Sequence, residues 1–495
     1  MKNDFETLNA KSTYQEMYRP QLHFTPEEMW MNDPNGLVYF QGEYHLFYQY
    51  HPFSKRWGPM HWGHAVSKDL LHWEHLPIAL FPDEIGMIFS GSCVVDENNT
   101  SGLFEDEGGL VAVFTHADDN VQQQSIAYSL DAGRTWQKYD QNPVIENPGI
   151  EDFRDPKVMW YEPEEKWLMV LAAGQEVLFY ESKNLLVWTY LSAFGKGHGA
   201  HEGVWECPDL LEMPVKNSDE TKWILQVDVD EGASAGGSGG QYFIGNFDGK
   251  QFISDHKDVR WADYGKDFYA AQSFSNIDRN RRTVWLAWMS NWLYANEVPT
   301  SPWRSAMSLP REVSLQKTDK NDYVICQIPV KEYEALKTGE KISTSFALMN
   351  SETRKEEQPD GPFEWLLQMN VKQCESFEAA LFEFNGKAVR LIYDQSEYKL
   401  RFDRSQCGVH SFSEDFPGVF DIPVKKTADV LTLKIVVDTS SIELFINDGD
   451  AAAANLFFPS PDIEHFSLSV TCKKGDLLQV DSSEIQPLKS VWRDS

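Results

Sequence analysis

Short apolar segments separated by turn residues dominate the chain and leave little room for helices. Segments such as GLVYF, YHLFYQY, KWLMVLAA and TVWLAWMS have the length of a strand, and several of them alternate apolar with polar residues. A period of two places successive side chains on opposite faces of a sheet, as in a half-buried β-strand. We therefore predict an all-β protein.

A recurring turn divides the first part of the chain. VSKDLLHW ends at Trp73, YSLDAGRTW at Trp136 and ESKNLLVW at Trp188, and IGNFDGKQF, which ends at Phe252, has a similar shape. Each interval between these turns holds about four short strands, the content of one blade of a β-propeller. Because a single twisted sheet of about twenty strands is not stable, we predict a five-bladed β-propeller over residues 21–320, after an N-terminal extension at 1–20.

The character of the sequence changes after residue 320. Segments such as EALKTGEKISTS are charged and poor in large apolar residues, which indicates a linker at 321–344. Strands such as FEAALFEF and VLTLKIVVD follow, with frequent turns between them, and this pattern is typical of a two-sheet β-sandwich. We predict such a sandwich at 345–495. No low-complexity tract separates the two parts, so we expect them to pack tightly against each other.

The charge of the chain excludes some partners. Acidic residues outnumber basic ones by 76 to 44, for a formal net charge of −32. Nucleic acids and anionic membrane surfaces would be repelled, whereas a neutral ligand would not. The 17 Trp, 19 Tyr and 30 Phe residues fit either a large β-rich core or flat platforms for the C–H faces of sugar rings.

Cysteine and histidine spacing indicates neither a metal nor another cofactor. None of the six cysteines forms a C-x-x-C pair, so we predict buried thiols rather than a zinc site or a disulfide framework. His61 and His64 are three residues apart in a strand-like segment and are expected to point to opposite faces. The first 20 residues contain no apolar h-region. We therefore expect a cytoplasmic protein if the chain is complete, and a secreted one if a leader has been removed.

Three carboxylates lie close to a proline at a break in an apolar segment. They are Asp33 in WMNDPNG, Asp155 in EDFRDPKVMW and Glu206 in HEGVWECPDLLEMP. Proline keeps the preceding residue extended and cannot donate to a strand ladder, so it suits the end of a strand. Each carboxylate alone is readily explained by a turn or a cap. Together, on different blades of a ring-like fold, they indicate one shared cavity.

A pair of carboxylates is what glycoside hydrolysis requires. One of them attacks the sugar or activates water, and the other is held protonated and donates to the leaving oxygen. The apolar neighbours of Glu206 in VWECP would favour its protonated form. Hydrogen bonds from Asn32 and Asn35 could hold Asp33 ionised.

The motifs WMNDPNG, FSGS at 89–92, FRDP at 153–156 and WECPD at 205–209 stand in an order that resembles glycoside hydrolase family 32. This is the family of invertases, inulinases and levanases, and the resemblance covers nearly the whole chain. FYQYHPFSKRWG and WMSNWLYANEVPTSPWRS look most like bacterial levanases and exo-inulinases. The resemblance implies a five-bladed propeller followed by a β-sandwich, in agreement with the strand pattern.

The resemblance also implies roles for the site residues. Asp33 would be the nucleophile that attacks a terminal β-D-fructofuranosyl unit, Glu206 the general acid and then the base, and Asp155 the stabiliser of the transition state. The mechanism would retain configuration through a covalent intermediate. The further residues implied for substrate binding are Trp30, Asn32, Gln49, Trp57, Phe89, Ser90, Arg154, Trp288 and Trp292.

The leading prediction is an exo-acting β-fructosidase that removes terminal fructose from levan, inulin, fructo-oligosaccharides and sucrose. The alternatives left open are an intracellular hydrolase of sucrose or sucrose-6-phosphate, a fructosyltransferase, and an inactive carbohydrate-binding protein. The linkage preference and the choice between exo and endo action are also open, and the second domain could mediate a homodimer.

Overall fold

Strands make up nearly all of the regular structure. The computed structural model describes residues 13–105, 108–118, 120–277, 282–318, 320–406, 408–425, 429–463 and 465–492, so residues 1–12 of the predicted N-terminal extension lie outside the described residues. Within these ranges there are 33 strands and two short 3-10 helices, Glu162–Glu164 and Lys331–Leu336. No helix among the described residues is long and apolar enough to cross a membrane. The prediction of an all-β protein is confirmed.

Antiparallel sheets of four or five strands follow one another through residues 29–329. The first sheet contains β1 (Met29–Phe40), β2 (Glu43–His51), β3 (His61–Ser67) and β4 (Trp73–Leu80). The second contains β5 (Met87–Asp96), β6 (Gly109–Ala117), β7 (Gln122–Ser129) and β8 (Gln137–Lys138). The third contains β9 (Phe153–Tyr161), β10 (Lys166–Ala173), β11 (Glu176–Ser182) and β12 (Thr189–Phe194).

The fourth sheet contains β13 (Trp205–Pro214), β14 (Thr221–Val229), β15 (Gly239–Phe247) and β16 (Phe252–Ser254). Next come β17 (Tyr269–Ser273), β18 (Thr283–Trp288) and β19 (Trp303–Arg304), and then β20 (Arg311–Lys317) and β21 (Tyr323–Pro329). Strand β19 pairs in parallel with β1 of the first sheet. The other four form the fifth sheet in the order β17-β18-β20-β21.

The first strands of these five sheets contact one another in sequence. Strand β1 contacts β5, β5 contacts β9, β9 contacts β13, β13 contacts β17, and β17 contacts β1 again. The contacts therefore close into a ring of five strands.

The turn that recurs in the sequence joins the third strand to the fourth in the first three sheets. The indole N–H groups of Trp73, Trp136 and Trp188 donate to carbonyl oxygens three residues earlier, at 2.9, 3.0 and 2.8 Å. Before each of them, a serine hydroxyl donates to a side chain two residues further on, in the pairs Ser67–Asp69, Ser129–Asp131 and Ser182–Asn184. The repeat read from the sequence is confirmed for the three turns that end at Trp73, Trp136 and Trp188.

The segment 321–344, predicted as a linker, carries regular structure. Strand β21 pairs with β20 and so belongs to the fifth sheet. The 3-10 helix Lys331–Leu336 follows, with Tyr333 and Leu336 buried. The strand pairing of the first part of the chain thus continues to Pro329.

Two six-stranded sheets form the rest of the chain. Their strands are β22 (Ile342–Leu348), β23 (Thr353–Glu357), β24 (Phe363–Asn370), β25 (Cys374–Phe384), β26 (Lys387–Asp394), β27 (Lys399–Asp403), β28 (Val419–Pro423), β29 (Val430–Val437), β30 (Ser441–Ile446), β31 (Ala451–Leu456), β32 (Ser467–Gly475) and β33 (Leu478–Pro487). The orders are β22-β33-β24-β29-β30-β31 and β23-β32-β25-β26-β27-β28. Leu367 and Leu433 on one sheet share a hydrophobic core with Leu391 and Phe402 on the other.

Buried ion pairs join the two parts of the chain. Arg311 on β20 is fully buried and donates to Asp263 at 2.7 Å and to Glu443 on β30 at 2.6 Å. The ring nitrogens of buried His23 lie 2.7 Å from Asp438 and 2.9 Å from the same Glu443. Burial by itself would lower the pKa of His23, but the two carboxylates outweigh it and raise the pKa to about 9. These contacts agree with the expected tight packing of the two parts.

Candidate active site

A β-bulge interrupts each of the five strands in the ring. In every case two residues of the first strand oppose one residue of the second, which is the pattern of a β-bulge. Bulges turn side chains away from the regular alternation of a strand, and they are frequent next to active sites. The bulges fall at residues 32–33 of β1, 89–90 of β5, 155–156 of β9, 207–208 of β13 and 270–271 of β17.

Residues from the bulges of β1, β5 and β9 line a cavity of about 320 Å³. The bulge of β13 contacts that lining through the hydrogen bond from Cys207 to Asp155. Ten of the twelve residues that the sequence indicated for the site lie in its wall, and Trp30 and Trp288 do not. The lining residues are Asn32, Asp33, Gln49, Trp57, Phe89, Ser90, Gln122, Asp152, Arg154, Asp155, Glu206 and Trp292.

Asp33 lies in the bulge of β1 and is 8% exposed. Its Oδ2 accepts a hydrogen bond from Ser90 Oγ at 2.6 Å, and its Oδ1 accepts one from Asn32 Nδ2 at 3.1 Å. The amide of Asn35, the other expected donor, has no hydrogen-bond partner among the described residues. Burial raises the pKa of Asp33, the Ser90 and Asn32 hydrogen bonds lower it, and the nearby charge of Glu206 raises it, so that the net direction is upward.

Asp155 lies in the bulge of β9 with a left-handed backbone, φ 65°. This conformation is strained for a residue other than glycine and must be held by its surroundings. The backbone N–H of Asp155 donates to Thr115 Oγ1 at 3.1 Å, and its Oδ2 accepts from the backbone N–H of Cys207 at 2.9 Å. Burial raises the pKa of Asp155, and neighbouring carboxylates raise it further, although Arg154 opposes them.

Glu206 lies immediately before the bulge of β13, with its side chain 18% exposed. Its Oε1 accepts hydrogen bonds from Arg154 Nε at 3.0 Å and Nη2 at 2.8 Å, and its Oε2 accepts one from the hydroxyl of Tyr269. The apolar setting expected from the segment VWECP is therefore wrong for the carboxylate. Strand alternation turns Trp205 into a hydrophobic core and Glu206 toward the polar cavity.

The thiol of Cys207 connects two of the three carboxylates. Its Sγ lies 3.6 Å from Oδ2 of Asp33 and 3.6 Å from Oδ2 of Asp155, so both carboxylates face the same point. Burial raises the pKa of Cys207 well above its usual value, and the nearby carboxylates raise it further. The residue is a neutral packed thiol, as the sequence indicated.

The predicted aromatic residues divide into a wall and its support. Trp57, Phe89 and Trp292 line the cavity. Trp30 and Trp288 are fully buried behind Trp292, with ring centroids 6.1 and 4.7 Å from it. The indole N–H of Trp30 also donates to the Asn32 side chain at 2.7 Å. Trp30 and Trp288 therefore support the wall from behind.

Several residues around the cavity were missed by the sequence reasoning, Tyr269 among them. Gln122 and Asp152 line the cavity, and both accept hydrogen bonds from Arg154 Nη1, at 3.2 and 2.5 Å. Asp228 on β14 pairs in register with Glu206, and burial raises its pKa well above the usual value for a carboxyl. None of them lies in a proline motif except Asp152, for which the acidic run before FRDP was an available signal.

The site combines a carboxylate bound by neutral donors with a carboxylate bound by a cation and a phenol. Two carboxylates that face one cavity can between them supply a nucleophile and a group that transfers protons. No group of three or more His, Cys, Asp or Glu residues is arranged to hold a metal ion in the part of the chain that the structure describes.

Comparisons with known proteins agree with this arrangement. The family model for the N-terminal domain of glycosyl hydrolases family 32 matches residues 23–329, and the model for the C-terminal part of that family matches residues 332–486. A levanase from Bacillus subtilis is 51% identical over 490 residues, which cover 97% of this chain and 72% of that protein.

Solved structures are similar over the same length. The crystal structure of an exo-inulinase from Aspergillus awamori has a TM-score of 0.91 at 36% identity and covers 97% of this chain and 100% of that one. A β-fructofuranosidase from Schwanniomyces occidentalis complexed with fructosyl-erythritol has a TM-score of 0.87 at 35% identity, over 98% and 99% of the two chains. The two family models together span nearly all of the sequence. The chain therefore belongs to glycosyl hydrolase family 32.

Proposed function

We propose that the protein is an exo-acting β-fructosidase, which removes terminal fructose from fructans such as levan and inulin, from fructo-oligosaccharides and from sucrose. The observation that carries the proposal is the convergence of Asp33, Asp155 and Glu206 on one cavity of about 320 Å³. This volume is near the lower end of the range for ligand pockets, about 300 to 1,000 Å³, and suits a terminal sugar unit. The similarity to a levanase and an exo-inulinase supports the same substrates.

The proposal includes the architecture that builds the cavity. The five small sheets are the blades of a five-bladed β-propeller, and the two six-stranded sheets are a β-sandwich. The closed ring of first strands and the recurring turn support the propeller. The pairing of β21 supports a propeller domain at 21–329, with the sandwich beginning at 342.

In the first chemical step, Asp33 attacks the anomeric carbon of the terminal fructofuranosyl unit and forms a covalent bond to it. Glu206 donates a proton to the glycosidic oxygen as the bond between that oxygen and the anomeric carbon breaks. The hydrogen bonds from Ser90 and Asn32 favour the ionised form of Asp33 and fix its orientation. Asp155 binds fructose hydroxyl groups and stabilises the positive charge that develops on the sugar.

In the second step, Glu206 takes a proton from water, and the water oxygen attacks the same anomeric carbon. The bond to Asp33 breaks, fructose leaves with its configuration retained, and both carboxyl groups return to their starting forms. Arg154, at 2.8 Å from Glu206, compensates the negative charge that Glu206 carries between the two steps. Gln49, Trp57 and the other cavity residues position the sugar.

The cavity disfavours a phosphorylated sugar. A phosphate group requires convergent arginine or lysine side chains. Among the described residues of the cavity wall, Arg154 is the only cation, and it already binds Asp152 and Glu206. Neutral fructosides are therefore the better substrates. Because fructan polymers are too large to cross a membrane, a polymeric substrate supports the secreted alternative over the cytoplasmic one.

The test is product analysis over time with sucrose, sucrose-6-phosphate, inulin and levan. Fructose should be the product from the start on both polymers, and their relative rates identify the preferred linkage. Early oligosaccharides would indicate endo action instead. Hydrolysis of sucrose or its 6-phosphate with both polymers intact would contradict a fructan substrate.

A matched pair of variants on β13 tests the catalytic assignment. Glu206→Gln should lower kcat on sucrose by about 10²- to 10⁴-fold, the usual contribution of a general acid. Glu212→Gln alters an exposed carboxylate on the same strand, outside the cavity, and should leave kcat unchanged. Equal activity of the two variants would contradict the role of Glu206.

A further inference from the structure

A row of aromatic side chains extends from the mouth of the cavity over the loops of the first sheet. The row consists of Phe89, Trp57, Phe53, His61 and Phe81. Phe53 is 78% exposed, Phe81 is 54% exposed and Trp57 is 44% exposed. Single exposed apolar residues are ordinary, but a contiguous set beside an active site indicates a binding surface.

The row is continuous with the cavity. Trp57 and Phe89 line the cavity with ring centroids 6.1 Å apart. Gly58, next to Trp57, packs directly against the ring of His51. The contact is so close that a Cβ added at Gly58 would lie 2.6 Å from that ring. The His51 ring is 6.2 Å from the ring of Phe53.

The outer part of the row is held together by edge-to-face contacts. The His61 ring is 6.0 Å from Phe53 and 5.6 Å from Phe81, with interplanar angles of 74° and 78°. Burial lowers the pKa of His61, so its ring is uncharged at neutral pH. The rings of Phe53, His61 and Phe81 therefore carry no charge.

Backbone hydrogen bonds fix the row in place. The Trp57 N–H donates to Asn296 Oδ1 at 3.0 Å, and the Ile88 N–H donates to the Met60 carbonyl at 3.0 Å. Lys138 Nζ donates to the Phe81 carbonyl at 2.5 Å. A surface that is already ordered binds with less loss of conformational entropy than a mobile one.

The chemistry of the row selects a neutral and partly apolar ligand. Aromatic faces and edges pack against C–H groups, which sugar rings present on both sides. The net charge of −32 disfavours an anionic polymer. Because the row begins at the cavity that binds a terminal fructose, its occupant is the remainder of the same chain.

We propose that the exposed rings of Phe53 and Phe81, which the buried ring of His61 holds from below, form a second binding surface for the chain of a polymeric fructan whose terminal unit occupies the cavity. This inference rests on the proposed exo-fructosidase function. Sucrose has a single sugar ring beyond its fructose, and Phe53 and Phe81 lie outside the cavity wall, so sucrose should not depend on them. The surface therefore distinguishes polymers from short substrates.

The test compares Phe53→Ala, Phe81→Ala and the double variant on levan, inulin and sucrose. Each single variant should raise KM on the preferred polymer about fivefold, as expected for uncovering a few tens of Å² of apolar contact. The values of kcat on all substrates, and of KM on sucrose, should stay unchanged. Phe53→Tyr keeps the ring and should keep the polymer KM. Tyr190→Ala, at a side chain 53% exposed on β12, is the matched control.

A second measurement is independent of activity. The inactive variant Asp33→Asn should be retarded during electrophoresis in gels that contain the polymer, and addition of Phe53→Ala and Phe81→Ala should abolish the retardation. The inference would be overturned if Phe53→Ala and Phe81→Ala changed the polymer KM no more than Tyr190→Ala does. It would also be overturned if they raised KM on sucrose by the same factor as on the polymer. A dimer in light scattering that the double variant converts to a monomer would show a protein interface and also overturn it. A wild-type enzyme that cleaves sucrose but no polymer would instead contradict the proposed fructan substrate.

Discussion

The hydrogen bond from Ser90 to Asp33 provides a quantitative test of the proposed nucleophile. Ser90 Oγ lies 2.6 Å from Asp33 Oδ2, and the two residues are 6% and 8% exposed. The substitution Ser90→Ala removes a donor that favours the ionised carboxylate. Burial already raises the pKa of Asp33 and the Ser90 hydroxyl opposes that effect, so the pKa should rise further in the variant.

The expected size of the change follows from the type of bond. A hydrogen bond to a charged group contributes about 1.5 to 3 kcal/mol, and one pKa unit corresponds to about 1.36 kcal/mol, so the shift should be about 1 to 2 units. A nucleophile must be ionised, and activity is therefore lost as the pH falls through its pKa. The acidic limb of the pH profile should move to higher pH in Ser90→Ala. Since Asp33 and Asp155 interact, the limb reports the titration of the cluster.

The assay is kcat/KM on sucrose as a function of pH, which reports the groups of the free enzyme. Ser92→Ala is the matched control, because Ser92 is a buried serine on the same strand whose hydroxyl donates to the carbonyl of Pro156 at 2.8 Å. Its acidic limb should coincide with that of the wild type. A limb that stays in place in Ser90→Ala, or that moves to lower pH, would refute the assignment of Asp33.

Three further predictions concern arginine and histidine contacts. Arg154→Lys loses the two-nitrogen contact with Glu206, and kcat on sucrose should fall about 10- to 100-fold, with an unchanged fold by circular dichroism. Arg311→Met should lower the free energy of unfolding in urea by about 3 to 5 kcal/mol, because it breaks a buried ion pair. Arg401→Met breaks an exposed pair and should cost at most about 1 kcal/mol. Equal losses in the two variants would contradict a stabilising role for the buried pair. Because the pKa of His23 rises from 6.5 to about 9 on folding, its contribution of about 3 kcal/mol should be complete below pH 6.5 and disappear as the pH rises through 9. The difference in unfolding free energy between wild type and His23→Gln should shrink over that range, and a constant difference would argue against it.

The carboxylates could be predicted from the sequence because prolines mark their bulges. Pro34 directly follows the bulge of β1, and Pro156 and Pro208 lie within the bulges of β9 and β13. Proline has no N–H for the ladder, so it is tolerated where the pairing is already interrupted. In β1 and β9 the same interruption turns Asp33 and Asp155 into the cavity, so the local signal and the functional geometry have one cause. Glu206 lies just before the bulge of β13 and faces the cavity by strand alternation.

Tyr269 had no such signal. The bulge that follows it consists of Ala270 and Ala271, without a proline, and its hydrogen bond to Glu206 joins residues 63 positions apart. That contact exists because the fourth and fifth sheets are neighbours in the closed ring, a relation that no local pattern encodes. The opposite holds for Trp30 and Trp288. Their motifs indicated the site, but strand alternation turns their rings away from the cavity into the hydrophobic core behind its wall.

The placement of charge in the molecule follows from the demands of the cavity. Burial raises the pKa values of Asp33 and Asp155, nearby carboxylates raise them further, and Arg154, the only cation in the described wall of the cavity, opposes the rise at Asp155. Such a cluster opposes folding, because each ionised carboxylate is more stable in water. Stabilising contacts must therefore lie elsewhere. The fully buried pair between Arg311 and Glu443 is at the junction of the two parts of the chain, where it can stabilise the fold without neutralising a group that the reaction requires.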